Sequence, residues 1–249
     1  LYAGCGPFAT LLLPLLTKFN PGELVVHLLD IHQRSLDCVA LLIGHFDLQV
    51  HRISYIQDDA CHYQHSSNPH VIITETMQKS LEQEPQFAVT ANLAPQLHAR
   101  GIFIPQRIEV ALCLAKLEEE TAAFQRGNAP DPNALAEAGK RHPLATVLRL
   151  TPENAATLKQ QASQNSHGLL ELNPMQVTIP ATADLHNFEA VLFTRIRAFE
   201  QHWLLDYESE ITLPLRCREL TPLQAGDRYR IGLQIGSYPR FSVTRLRDG

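Results

Sequence analysis

The chain has 249 residues, 45% of them hydrophobic and 19% charged, with a net charge of −5. That length is enough for one large domain or two small ones with a real core. The acidic balance argues against a nucleic-acid binder working through a basic surface, and the longest apolar run, "FATLLLPLLTKF", is too short to span a bilayer.

The first hundred residues alternate strand and helix. Leu1-Tyr2 read as the end of a strand already under way, which implies missing chain before it. The Gly-rich turn "AGCGP" leads into an apolar helix near residues 8–18, and "ELVVHLLD" (23–30) is a buried strand. "SLDCVALLIG" (35–44) reads as a helix capped by Ser35 and ended by Gly44. Strands follow at "LQVHRISYI" (48–56) and "HVIITE" (70–75). Pro85 opens a helix to about His98, and "GIFIPQRIEVALCL" (101–114) is extended. This alternation predicts a doubly wound, mostly parallel α/β sheet with ligands at the carboxyl ends of its strands.

The second half differs. A polar, helix-leaning insertion spans about 115–165, broken at "RGNAPDPNA", with Thr151-Pro152 starting a helix to about Ser163. Beyond Gly168, "MQVTIP", "EAVLFTRIRAF", "SEITLPLRCREL" and "RYRIGLQI" read as antiparallel strands of a barrel or sandwich. The predicted domains are 1–106 and 107–249.

Gly4 and Gly6 stand at a strand-to-helix turn, either a plain tight turn or a place where a ligand approaches the backbone. Asp30 ends the next apolar strand, where an acid accepts hydrogen bonds from a ribose diol. Asp59 and Ala60 end the third, an arrangement suited to an adenine amino group. Nicotinamide cofactors and S-adenosylmethionine both use such a frame; the lack of a full G-x-G-x-x-G favours the second. "LYAGCGPFATLLLPLL", "LLDIHQRSL" and "DDACHY" resemble the first three motifs of class I S-adenosylmethionine-dependent methyltransferases. The resemblance implies a Rossmann-like domain, truncated at its start. In it Gly4 and Gly6 approach the methionine part of S-adenosyl-L-methionine, with Cys5 a small residue beside the ligand. Asp30 takes the ribose, and Asp59 with Ala60 the adenine.

"TETMQKSLEQE" (74–84) places Glu75 at a strand end and Glu84 before Pro85, nine residues apart. Proline disfavours helical geometry at the residue before it, so both acids flank a loop. Two facing carboxylates repel unless a cation lies between them, and a guanidinium supplies a planar fork of donors that matches carboxylates. The alternative is a solvated strand end at Glu75 and acids near a helix start at Glu82 and Glu84. The stretch is similar to the double-glutamate loop of protein arginine methyltransferases, with Met77 and Leu81 also matching. Gly101 and Pro105 match that family's entry into its β-barrel.

The family likeness implies N-methyl transfer to a guanidino group, small-molecule or peptide, held by Glu75 and Glu84. Met77 would line the substrate pocket, and the polar insertion could be a homodimerisation arm. Thr76, Gln78 and Lys79 depart from the family, and its closing Thr-His-Trp loop should fall near 209–214, where His and Trp are absent. These departures leave open a methyltransferase with another small-molecule acceptor, or a non-catalytic partner protein of the same fold. His202 and Trp203 read as structural, and His62-x-x-His65 as a solvated loop with no metal. The five scattered cysteines form no C-x-x-C pair, which fits reduced thiols in the cytoplasm. Neither nucleic acid nor membrane is expected as a partner.

Overall fold

A parallel sheet is covered on both faces, so its strands need apolar residues pointing both ways. The computed structural model describes residues 1–9, 11–49, 51–128, 130–165, 167–181, 185–236 and 238–246. The chain divides into two units: Leu1–Thr76 with Gln86–Ile104, and Met77–Pro85 with Pro105–Gly249.

In the first unit β1 (Tyr2–Ala3), β2 (Val25–Asp30), β3 (Arg52–Gln57), β4 (Val71–Thr74) and β5 (Ile102–Ile104) pair in parallel, in the order β3-β2-β1-β4-β5. The helices are α1 (Leu13–Leu16), α2 (Gln33–His45) and α3 (Gln86–Leu93). Tyr2 and Leu28 pack in one layer with Leu16 of α1 and Leu36, Val39 and Ile43 of α2. Ala3, Leu29 and Ile72 pack in the other with Val89 and Leu93 of α3. The sheet is therefore doubly wound, and its order reverses beside β1, the place where such sheets bind ligands.

Local chemistry moved several boundaries. α1 is a single turn rather than a helix over 8–18, because Ala9 takes a left-handed φ of 41° and Pro14 brings no N–H. α2 is capped at His32, not Ser35, and runs through Gly44. It ends in a Schellman motif with Asp47 (φ 53°) in the left-handed position, where the Leu48 N–H meets the Ile43 carbonyl at 2.9 Å. α3 stops at Leu93 and a short 3₁₀ turn containing Pro95 follows.

The second unit is antiparallel. β6 (Arg107–Ala115) is followed by α4 (Leu117–Gln125), α5 (Pro132–Glu137), β7 (Arg141–Leu150) and α6 (Ala155–Gln161). Next come β8 (Ser163–Gln164), β9 (Leu170–Thr178), β10 (Glu189–Phe199), β11 (His202–Leu204), β12 (Leu215–Arg216), β13 (Arg228–Gln234) and β14 (Arg240–Leu246). One sheet has the order β11-β10-β6-β7, with β12 also on β10; the other is β14-β13-β9-β8.

The stretch 115–165 is thus helical only in part, since β7 occupies ten residues of it. Pro143 is tolerated there because β7 is an edge strand. The helix expected from Thr151-Pro152 begins instead at Ala155. Thr151 and Asn154 first bond each other's backbone N–H groups, at 2.8 and 3.3 Å. "SEITLPLRCREL" is not a strand: the Thr212 hydroxyl accepts the Ser209 N–H at 3.0 Å and donates to the Ser209 carbonyl at 3.1 Å, closing a turn, and only Leu215–Arg216 pairs with β10.

A closed set of charges lies inside this unit. Arg141, 2% exposed, donates to Glu120 (Nε–Oε1 3.2 Å, Nη2–Oε2 2.6 Å) and to Asp206. Asp206 also accepts from Arg195 Nε at 2.9 Å, and Glu120 from the Tyr207 hydroxyl at 2.9 Å. Among the described residues no helix is long and apolar enough to cross a membrane. Removing one member of a buried ion network strands the others, so Arg141→Met is expected to cost about 3–5 kcal/mol. Arg149→Met, at a pair whose arginine is 59% exposed, should cost about 0–1 kcal/mol in the same denaturant melts.

Candidate functional site

The carboxyl ends of the parallel strands meet along one edge of the first unit. The Gly4 N–H donates to Leu29 O at 2.9 Å, Asp58 N–H to Asp30 O at 3.2 Å and Glu75 N–H to Ala3 O at 3.0 Å. Gly4, Cys5, Gly6, Asp30, Asp59, Ala60 and Glu75 therefore stand on the ends of neighbouring strands. Gly4 (φ 74°) is small for an internal reason. A Cβ there would come within 2.4 Å of Glu75 O and 2.6 Å of Thr76 Cγ2, so its space serves the end of β4. Gly6 (φ 58°) has nothing within 4 Å of an added Cβ, and its side of the turn is open.

Asp30, 8% exposed, staples this turn. Oδ2 accepts the Gly6 N–H at 3.0 Å and Oδ1 the His32 N–H at 2.8 Å, with the Cys5 thiol at 3.9 Å. Burial, reinforced by the Asp30 charge, pushes the Cys5 thiol up to about 12, which makes it inert as a nucleophile. Asp59 is held by its own loop: Oδ1 accepts from the Cys61 N–H and Oδ2 pairs with His62 Nδ1, both at 2.8 Å. Partial burial raises the Asp59 carboxyl, but these bonds outweigh it and keep the group below its ordinary value. Ala60 is buried and its carbonyl accepts from Asn92 Nδ2 at 3.0 Å.

Glu75 is exposed and belongs to the first unit, whereas Met77 and Glu84 belong to the second. The neck of the 77–85 excursion is closed by Gln86, a wholly buried residue that sequence reasoning passed over. Its Oε1 accepts the Thr76 hydroxyl at 2.7 Å and the Thr76 N–H at 3.3 Å. Its Nε2 donates to the Thr74 and Thr90 hydroxyls at 2.8 and 3.0 Å. A buried glutamine beside several threonines was the available signal.

Within the excursion the backbone turns sharply. Ser80, Leu81 and Gln83 all have left-handed φ values (57°, 59° and 67°), a conformation costly for residues with a Cβ. Second-unit contacts hold it. The Ser80 N–H donates to Thr194 Oγ1 at 3.0 Å, the Gln83 N–H to Pro239 O at 2.8 Å, and the Phe241 N–H to Glu82 Oε1 at 3.1 Å. Gln78 Nε2 donates to Glu84 Oε1 at 3.1 Å.

A cavity of about 470 Å³ opens here, lined by Met77, Gln78, Lys79, Glu82, Gln83, Glu210, Ile211 and Leu215. Met77 is among its lining residues, and the excursion carboxylate there is Glu82, not Glu84. The 209–214 segment, where a closing loop was expected, contributes Glu210 and Ile211.

No family model matches the chain, and no curated protein matches it in sequence. Solved structures do match in three dimensions. Protein arginine methyltransferase 10 of Arabidopsis thaliana superposes with a TM-score of 0.53 at 12% identity, over 94% of this chain and 78% of that one. The Trypanosoma brucei PRMT1 enzyme–prozyme heterotetramer with AdoHcy gives 0.54 at 12%, over 99% and 88%. PRMT6 with SAH gives 0.54 at 11%, over 98% and 90%.

The fold is that of the protein arginine methyltransferases. Within this arginine methyltransferase fold the parallel sheet is the Rossmann-like part and the antiparallel unit the β-barrel part. "QHW" (201–203) lies largely on β11 of that barrel, with Trp203 beside two arginines.

Replacing Gln86 by methionine leaves buried threonine hydroxyls unsatisfied and should destabilise the first unit by about 1–3 kcal/mol in denaturant melts. Glu82 gives a pH signature. Burial lifts its carboxyl above the ordinary 4.5, against the pull of the Phe241 N–H. A raised folded-state pKa contributes stability below the ordinary value and loses it as pH rises through the raised one. The parent should therefore lose melting temperature relative to Glu82→Gln as the pH climbs from below 4.5 through that window.

Proposed function

We propose that this chain is an S-adenosylmethionine-dependent N-methyltransferase whose acceptor carries a guanidino group. The observation that carries the reading is the 77–85 excursion in an arginine methyltransferase fold. Its neck is closed by a buried amide, and three residues are kept in costly backbone conformations, strain of the kind retained at ligand sites. S-adenosylmethionine, when bound, supplies an electrophilic methyl group on a sulfonium.

The residues on the carboxyl edge fit the cofactor in kind. The open side of Gly6 leaves room for close approach to the backbone. Asp30 spends its carboxylate on Gly6, His32 and Cys5, and a carboxylate with about four acceptor positions keeps one for a ribose hydroxyl. Among the described residues none accepts from the Ala60 N–H, leaving it to an adenine ring nitrogen beside Asp59. Residues 1–106 form the cofactor domain in this reading and 107–249 the barrel.

For the acceptor, Glu84 holds the guanidinium fork and localises its charge, which leaves one nitrogen with a usable lone pair; Glu75 takes up the released proton. Gln78 donates to Glu84 Oε1 and so orients that carboxylate for the fork. The chain's part in the chemistry is orientation. A second reading follows from Glu82 lining the Met77 cavity with Glu210: a small cationic acceptor held by that carboxylate instead. Self-association and a cytoplasmic setting belong to the same proposal; the Trypanosoma brucei protein is an enzyme–prozyme heterotetramer.

Isotopically labelled S-adenosylmethionine, offered with arginine-rich peptides, free arginine, small guanidino compounds and phenolic or amine controls, tests this. Label is expected on a guanidino nitrogen, reduced by about 100-fold in Glu84→Gln. Loss in Glu82→Gln with Glu84→Gln active would select the second reading. Label confined to the controls would overturn the guanidino acceptor, and absence of both transfer and cofactor binding would overturn the enzyme.

A further inference from the structure

The outer end of the β6–β10 ladder holds an arrangement the proposed chemistry does not use. Arg107 on β6 lies directly opposite Arg197 on β10, and Arg197 is directly opposite Trp203 on β11. Like charges opposite one another in a sheet repel, with Cβ atoms only about 5 Å apart. Both guanidinium carbons nevertheless lie 5.9 Å from the centre of the Trp203 ring. Both Nε atoms are shielded from solvent, and among the described residues neither has an acceptor. A guanidinium donor left without one is costly.

The neighbouring charges do not cancel the pair. Glu109 accepts from Arg149 Nε at 2.9 Å and stands 3.5 Å from Arg107 Nη1. Arg195, two residues before Arg197 on β10, is taken up by Asp206 inside the closed network. Among the described residues Arg107, Arg149 and Arg197 supply three positive charges and Glu109 the one carboxylate paired with any of them, which leaves about two uncompensated.

We propose that Arg107, Arg197 and Trp203 form a binding site for a phosphate monoester. Such a group carries about −1.5 to −2 charge at pH 7 on three acceptor oxygens. It therefore matches two neighbouring guanidinium groups with one point of charge, where a single carboxylate neutralises only one. The indole adds a cation–π attraction to each guanidinium. Arg107 is 31% exposed at its side chain, so the site is reached from solvent. The source is either a phosphorylated side chain of a partner or a small phosphorylated metabolite, and both present the same chemistry.

Trp203 is the sole tryptophan of the 249 residues, so its fluorescence reports this place directly. Emission of the full chain would be titrated with inorganic phosphate, a phosphoserine peptide, its unphosphorylated twin and a glutamate-substituted twin. The expected result is a saturable change with phosphate-bearing probes, weakened at least tenfold in Arg107→Gln and in Arg197→Gln and by added salt. Removing one of two repelling charges should leave the melting temperature unchanged or higher. Arg197→Lys, which keeps the charge but loses the fork, should also lose binding and guards against misfolding of the glutamine variants. Peptide binding without inorganic phosphate binding would name a phosphorylated partner; equal binding would name a small phosphate. No saturable change, equal affinity in the variants, or equal binding of the glutamate peptide would overturn the proposal.

Discussion

Everything at the candidate site depends on how nine residues leave the parallel sheet and return to it, and one amide governs that. Gln86 accepts from Thr76 at the point of departure and donates to Thr74 and Thr90 beneath it. The polarity of the cluster explains the residue. Thr74 and Thr90 spend their hydroxyl protons on the carbonyls of Ile104 and Gln86. They therefore need a donor, while Thr76 needs an acceptor. An amide offers both; a carboxylate of the same size offers only acceptors. Glu75 stands one residue before this neck and Glu84 two residues before its far side.

The second unit shapes the rest of the excursion and treats charge in two ways on one strand. Arg195 of β10 enters a network in which Asp206, Glu120 and Arg141 satisfy one another out of water. Arg197, two residues further along, has no counter-ion among the described residues. The closed network also reaches the cavity, because Asp206 and Tyr207 lead directly into the segment carrying Glu210 and Ile211. Tyr207 has a left-handed φ of 69° and its hydroxyl is bonded to Glu120. Buried electrostatics are thus part of what holds a loop that lines the cavity.

Much of the fold was legible in the residues. Strands β2 and β4 announced themselves as short apolar runs, and the glycine turn, Asp30, Asp59 and Glu75 were placed on strand ends from sequence. The parallel sheet then brought those ends together. What could not be read were features set by distant partners. β7 looked polar because its buried Arg141 reads as a surface residue until Glu120 and Asp206 are brought to it. The 209–220 stretch alternates like a strand, but the Thr212 hydroxyl bonding back to Ser209 and Pro214 give the backbone local alternatives. Gly4 has a second reason to be small that the sequence did not show: a Cβ there would press on the end of β4.

The left-handed backbone at Ser80, Leu81 and Gln83 has a consequence for how the nine-residue spacing of Glu75 and Glu84 should be understood. None of these residues prefers that conformation, and Thr194, Pro239 and Phe241 lie more than a hundred positions away in the chain. The excursion therefore has no shape of its own to inherit. A peptide copied from residues 74–86 would keep the letters and lose the geometry, and so would a chimera that joined this loop to a foreign barrel. Such a loop changes by drift on both sides of the contact, so substitutions in β10 or near β14 can reshape it while the loop's own text stays constant.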